Sequence, residues 1–159
     1  MKYFIVLSLF LTMNISAEEL QVKSESFYAD EKKGISIFNG NVNIIKSNDE
    51  LNASKVTIYT DKDNQPTKFV SEGKSSFKIL TQDGVRYQGK SHKVVYYPNK
   101  KEYQFYGNVH LIQVGEKKEI IGEEVILNTI SGKARAKSSE NEPVIMIFNI
   151  KEKPKKEIK

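Results

Sequence analysis

Few side chains in this sequence have the types and spacing that catalysis or metal binding needs. The two histidines, His92 and His110, lie in predicted strands with no cysteine or acidic pair at metal-ligand spacing, so we interpret them as solvated or interface residues. The adjacent acids Asp49-Glu50 and Glu123-Glu124 lie in turns or point to opposite faces, so they cannot converge as a glycosidase requires. We predict no enzymatic activity, no metal ion and no cofactor.

Five tyrosines offer another kind of chemistry, because aromatic rings can stack on sugars or bases. They are Tyr87, Tyr96, Tyr97, Tyr103 and Tyr106. A simpler explanation is that tyrosine suits half-buried strand positions at the rim of a sheet. A glycan-binding surface module therefore stays open as an alternative to ordinary packing.

The excess positive charge is concentrated at the end of the chain. The whole sequence carries 25 Lys and Arg against 20 Asp and Glu, a net charge of +5, and residues 151–159 hold five of the lysines. The body therefore lacks the polybasic stripe that nucleic-acid binding needs. We predict a disordered basic tail over 151–159 and no nucleic-acid partner.

The first residues have the features of a secretory signal peptide. Lys2 is followed by an apolar run to Ile15 and then by the small pair Ser16-Ala17. The run is shorter than the roughly 20 apolar residues that span a bilayer. With no cysteine to carry a lipid or a disulfide, we predict an exported single domain over 18–150, after removal of 1–17. A membrane-anchored subunit that keeps its leader is the alternative.

An internal repeat indicates the architecture. Residues 38–44 and 105–111 both read F-x-G-N-V-x-[I/L], and a second pair of similar phrases follows at 51–59 and 120–128. Such repetition is typical of strand pairs that bury an apolar face by stacking on their neighbours.

Period-two alternation of apolar residues recurs almost everywhere after the leader, whereas helical periodicity is absent. Polar turn sequences separate the segments, which favours an antiparallel sandwich, a jelly roll or a short solenoid. The predicted strands cover 20–29, 34–46, 51–60, 67–80, 85–97, 102–114, 119–128, 132–138 and 143–150.

Residues two apart in a strand share a face. The row Phe38, Gly40, Val42, Ile44 and its counterpart Phe105, Gly107, Val109, Leu111 are predicted to face inward, together with Val56, Ile58, Val125 and Leu127. A glycine inside a strand marks a bend or a close approach. Gly40 and Gly107 are therefore either corners of the sheet or room for a ligand.

The final apolar run, Val144 to Phe148, is apolar on both faces. Edge strands usually carry charges or kinks that prevent pairing with other molecules. We expect this strand to be covered by the fold or extended by a partner.

These features resemble those of the OstA-like family of periplasmic lipopolysaccharide transport proteins, the LptA family. The resemblance rests on the repeated phrase, on A-D-x3-G-x3-F-x-G-N-V over 29–42 and on Y-x-G-x4-V-x-Y over 87–96. It implies an all-β antiparallel jelly roll, open and V-shaped, whose apolar interior shelters the acyl chains of lipid A. It also implies lipopolysaccharide or lipooligosaccharide as cargo, head-to-tail homo-oligomers, and edge-strand pairing with LptC-like inner-membrane and LptD-like outer-membrane proteins.

The resemblance and the inward rows together give the candidate lipid-binding residues. The resemblance implies Leu20, Val22, Phe69, Val94 and Tyr96, and the rows add Val42, Ile44, Val109 and Leu111. For each of them ordinary core packing is the alternative. Lys46, Lys55, Lys90 and Lys93 are expected near the groove mouth, where they would meet phosphates, unless they form a solvated face.

Overall fold

A computed structural model describes residues 18–151 of the chain. The predicted signal peptide and residues 152–159 of the predicted tail lie outside this range. Within the described residues all regular structure is antiparallel β, apart from one 3-10 turn at Pro98–Lys100. In the same range there is no helix long and apolar enough to cross a membrane.

The alternation of apolar and polar residues yields ten strands. They are β1 (Leu20–Lys23), β2 (Ser26–Asp30), β3 (Ile35–Lys46), β4 (Asp49–Thr60), β5 (Pro66–Leu80), β6 (Arg86–Tyr97), β7 (Glu102–Gln113), β8 (Lys118–Asn128), β9 (Ala134–Lys137) and β10 (Ile145–Ile147). The predicted strands from 34–46 to 119–128 are confirmed to within two residues at either end. The predicted strand 20–29 is instead two strands, and 143–150 is shorter than expected.

Each long strand pairs with the next one along the chain, from β3 to β8, so the sheet is an open meander. Both of its edges are divided between two short strands. At one edge β1 and β2 pair with different parts of β3, and at the other β9 and β10 pair with different parts of β8. The predicted all-β antiparallel fold is confirmed.

A line of β-bulges crosses every long strand and bends the sheet. The register shifts at this line in each pairing from β3–β4 to β7–β8. On β3, β5 and β7 the bend is made by two successive residues with positive φ: Gly40 and Asn41 at 79° and 43°, Gly73 and Lys74 at 80° and 48°, Gly107 and Asn108 at 77° and 47°. We call this line the crease.

The crease glycines do not leave room in the interior. A Cβ at Gly107 would lie 2.8 Å from the ring of His92, and one at Gly40 would lie 2.8 Å from Cβ of Glu25. Both neighbours are exposed. The prediction that Gly40 and Gly107 belong to the inward rows is therefore wrong. Of the two interpretations, the corner is the one that the geometry supports, because glycine adopts positive φ without a steric penalty.

The crease divides the sheet into two halves that face each other. Half-sheet A contains β2, β9 and the parts of the long strands on the same side of the crease as these two, for example 35–39 and 102–106. Half-sheet B contains β1, β10 and the remaining parts, for example 42–46 and 109–113.

The core lies between the two half-sheets. Phe105 of half-sheet A stacks on Phe77 of half-sheet B with ring centroids 4.2 Å apart. The predicted inward residues Val42, Ile44, Val56, Ile58, Val109, Leu111, Val125 and Leu127 are all buried. Each such side chain stabilises the fold by about 1.5–3 kcal/mol, which fixes the strand register.

Candidate functional site

The interior between the half-sheets is a groove that runs parallel to the crease. Because the strands cross this direction, the groove ends at the two sheet edges. Leu20 and Val22 of β1 and Phe38 of β3 pack against the core at one edge, where Phe27 of β2 is 61% exposed. At the other edge Met146 of β10 is 58% exposed. It pairs with Ile120 of β8, which contacts the core. Apolar side chains therefore reach solvent at both ends of the groove.

The structure brings all nine predicted lipid-binding residues into one cluster. Val42, Ile44, Phe69, Val94, Tyr96, Val109 and Leu111 are buried in it, and Leu20 and Val22 pack against it at the edge. Leu20, Ile44, Phe69, Val94 and Tyr96 also line a cavity of about 40 Å³ that reaches from the β1 edge to β7. The other four pack without lining this cavity.

Several cavity residues were not among the predicted ones. Phe77 and Ile79 lie on the same face of β5 as Phe69, so strand parity could have identified them. Tyr103 has the parity of Phe105 and stacks on Tyr96 at 4.2 Å. No sequence signal marks Asp49, a polar cavity residue whose position depends on the fold.

Two hydrogen bonds join the half-sheets across the side of the groove opposite the crease, which we call the mouth. The Tyr103 hydroxyl donates to Asp49 Oδ2 at 2.6 Å, and the amide of Gln82 donates to the Thr129 carbonyl at 2.9 Å. Burial raises the pKa of Tyr103 well above its ordinary value, and the charge of Asp49 and the hydrogen bond to it raise this pKa further. The neutral phenol is thus held as a donor to Asp49.

Of the four lysines expected near the mouth, only Lys46 is there. Its Nζ lies 2.6 Å from Glu18 Oε2, and its side chain lines the cavity. Lys55, Lys90 and Lys93 alternate with inward residues and lie on the outer faces. For these three the solvated-face alternative is correct, because their neighbours in sequence occupy the inward positions.

The other polar candidates are spread over the outer surface. His110 contacts Glu119 at 2.7 Å, and His92 lies 3.3 Å from the amide of Asn108. No group of three His, Asp or Glu side chains within 18–151 is placed to hold a metal ion.

The tyrosines do not form one stacking surface. Tyr87, Tyr96 and Tyr103 are buried in the interior. Tyr97 and Tyr106 are only partly buried, at strand positions that alternate with the inward ones. The packing interpretation therefore holds for the three buried tyrosines.

The comparison with known proteins agrees with this architecture. The chain is similar over 84% of its length to the crystal structure of LptH, the LptA homologous periplasmic component of the lipopolysaccharide transport device from Pseudomonas aeruginosa. The match covers 96% of that chain with a TM-score of 0.74 at 18% sequence identity, so it shows a shared fold. No curated protein sequence matches the chain.

The family described as LptA/(LptD N-terminal domain) LPS transport protein matches residues 21–133. This range contains the crease and all of the long strands. Since it covers more than half of the sequence, the chain belongs to this family of lipopolysaccharide transport proteins.

Proposed function

We propose that this protein carries lipopolysaccharide or lipooligosaccharide through the periplasm as part of a bridge from the inner to the outer membrane. Membership of the transport family and the likeness to a periplasmic relative support the compartment and the cargo class. The observation that carries the proposal is the single apolar groove with apolar side chains exposed at both ends.

The groove would shelter the acyl chains of lipid A while the sugars stay in water. Each methylene removed from water contributes about 0.8 kcal/mol, so several acyl chains face a large barrier to crossing an aqueous compartment unshielded. The nine clustered residues named above supply the apolar wall. Carriage of this kind requires no reaction, and we propose that the protein is not an enzyme.

Edge-to-edge joining would extend the groove from one protein to the next. The groove ends where β1, β2, β9 and β10 expose their outer sides, so strand addition there aligns two grooves. The same geometry suits a second copy of this chain, an LptC-like protein on the inner-membrane side and an LptD-like protein on the outer-membrane side.

The proposed carrier unit covers residues 18–150. Residues 1–17 would be the signal peptide that is removed on export, and 151–159 the basic tail. N-terminal sequencing of the exported protein tests this assignment: a first residue of Glu18 agrees with it, and a retained leader contradicts it.

Neighbouring tyrosines provide a matched test of cargo binding. Tyr96 lines the cavity, whereas Tyr97 lies on the outer side with Lys100 Nζ 5.4 Å from its ring centre. A photo-crosslinking phenylalanine derivative at position 96 should capture lipopolysaccharide in cells, and the same derivative at 97 should not. Capture only at 97 would contradict the groove and favour a glycan-binding surface.

A further inference from the structure

A carboxylate of the chain itself is held at the mouth of the groove. Glu18 accepts a hydrogen bond from the Ser47 hydroxyl at 3.1 Å while Lys46 Nζ contacts its other oxygen at 2.6 Å. The hydrogen bond and charge of Lys46 lower the pKa of Glu18, and Ser47 and the charge of Lys101 lower it further. One ammonium and one hydroxyl thus contact this carboxylate, and Lys101 borders the same depression without contacting it.

This group of residues lies directly beside the apolar groove. Lys46 and Tyr96 line both the 40 Å³ cavity and an outer depression of about 470 Å³, which also contains Glu18, Lys101 and Thr129. The depression is in the size range of small-ligand pockets. An amphiphile bound here could therefore place its anionic group against the lysines and its apolar chains in the groove.

The two lysines come from opposite sides of the mouth. Lys46 ends β3 in half-sheet B, and Lys101 follows the 3-10 turn in half-sheet A. The Lys46 side chain is only 23% exposed, so its ammonium is partly desolvated and is stabilised by a nearby anion. Two other carboxylates line the cavity beside Lys46. Asp49 already accepts hydrogen bonds from Tyr103 and from the Leu80 amide, and Glu50 lies 3.2 Å from Lys78 Nζ.

We propose that Lys46, Lys101 and the Ser47 hydroxyl form a site for a phosphate group of the lipid cargo, and that Glu18 occupies this site when the groove is empty. The proposal rests on the carrier function and names the part of the cargo that the mouth recognises. A phosphate monoester carries roughly −1.5 to −2 charges near neutral pH, against one for Glu18. The lysine pair therefore favours exchange of the carboxylate for the phosphate.

The test compares two lipids with identical acyl chains: lipid A and enzymatically dephosphorylated lipid A. Dissociation constants are measured with the purified protein. Lys46→Gln should weaken binding of lipid A and leave the dephosphorylated lipid unaffected, which also shows that the groove is intact. Lys90→Gln, on an outer face, is the matched control and should change neither constant.

Removal of the competing carboxylate should have the opposite effect. Glu18→Ala should tighten lipid A binding by about two- to fivefold, the range expected for a partly exposed ion pair, and should not change binding of the dephosphorylated lipid. Glu19→Ala is the control, since Glu19 is exposed and has no part in the depression.

The outcomes separate the two proposals. If wild-type protein binds both lipids equally and Glu18→Ala changes neither dissociation constant, the phosphate site is wrong while the carrier function stands. If the protein binds neither lipid, the carrier function itself is contradicted.

Discussion

The Tyr103 hydroxyl is the one side-chain hydroxyl within 18–151 that joins the two half-sheets through a hydrogen bond at the mouth. We expect Tyr103→Phe to lower the free energy of unfolding at pH 7 by about 1.5–3 kcal/mol, because the lost hydrogen bond is to a carboxylate. Urea denaturation measures this change. Tyr28→Phe, at a side chain that is 57% exposed, is the control and should have little effect.

The same substitution should alter the alkaline stability profile. Burial raises the pKa of Tyr103, so the unfolded chain releases this proton first and stability falls as pH rises above about 10. Tyr103→Phe removes that contribution and should make the decline shallower by up to about 1.4 kcal/mol per pH unit. An unchanged slope between wild type and variant would contradict a buried, neutral phenol.

Strand parity predicted the apolar part of the site but not its polar part. Val42 and Val109 could be placed inward because they alternate with polar residues and share their parity with Ile44 and Leu111. Asp49 begins β4 and Tyr103 lies in β7, and only the fold of the sheet brings their side chains together. Contacts between half-sheets have no periodic signature in the sequence.

At the scale of elements, close packing at the crease limits which residue fits at position 107. Gly107 has φ of +77°, and a Cβ there would lie within 3.0 Å of three His92 side-chain atoms. We expect Gly107→Ala to lower the free energy of unfolding by more than the roughly 1–3 kcal/mol that a strained positive φ alone costs, because the added Cβ also meets His92. Gly84→Ala is the matched control, because its φ is +87° but nothing lies near its Cβ position. Equal costs in thermal or urea unfolding would show that the contact at the crease is unimportant.

The crease also explains the largest error in the predicted strands. The first turn sequence after Leu20 begins at Asp30, which predicts one strand over 20–29. The partner β3 bends at Gly40, so the edge must break, and the Glu25 amide instead reaches the carbonyls of Asn39 and Gly40 at 3.1 and 3.0 Å. A periodic pattern reports which face a residue occupies, but it does not report where the neighbouring strand bends.

The β10 edge is the element most directly linked to assembly. Its residues Ile145, Met146 and Ile147 are 45%, 58% and 46% exposed. If this edge pairs with another copy, Ile147→Lys should reduce self-association in analytical ultracentrifugation, because a charge on an edge strand opposes pairing. Ile45→Lys places the same charge on the outer face of β3 and should not. Equal association of wild type and both variants would exclude this edge as the joint.

For the whole molecule, closure of the groove is the property that the sequence could least predict. The apolar rows require an interior, but they do not determine whether it is full or open. The cavity between the half-sheets, lined by Phe69 and Tyr96, measures only about 40 Å³. An apolar cavity that binds benzene measures about 150 Å³, and an acyl chain is larger than benzene, so even one acyl chain requires the interior to expand.

We therefore expect the half-sheets to separate at the mouth when lipid binds. Asn48 of half-sheet B and Ile130 of half-sheet A both border the mouth, and the cysteine-free chain allows spin labels at these two positions alone. Electron paramagnetic resonance should show a longer Asn48–Ile130 distance with lipopolysaccharide than without it. A pair within half-sheet A, at Asp63 and Asn99, should keep its distance. If the mouth distance stays constant while lipid is bound, the acyl chains do not enter between the half-sheets.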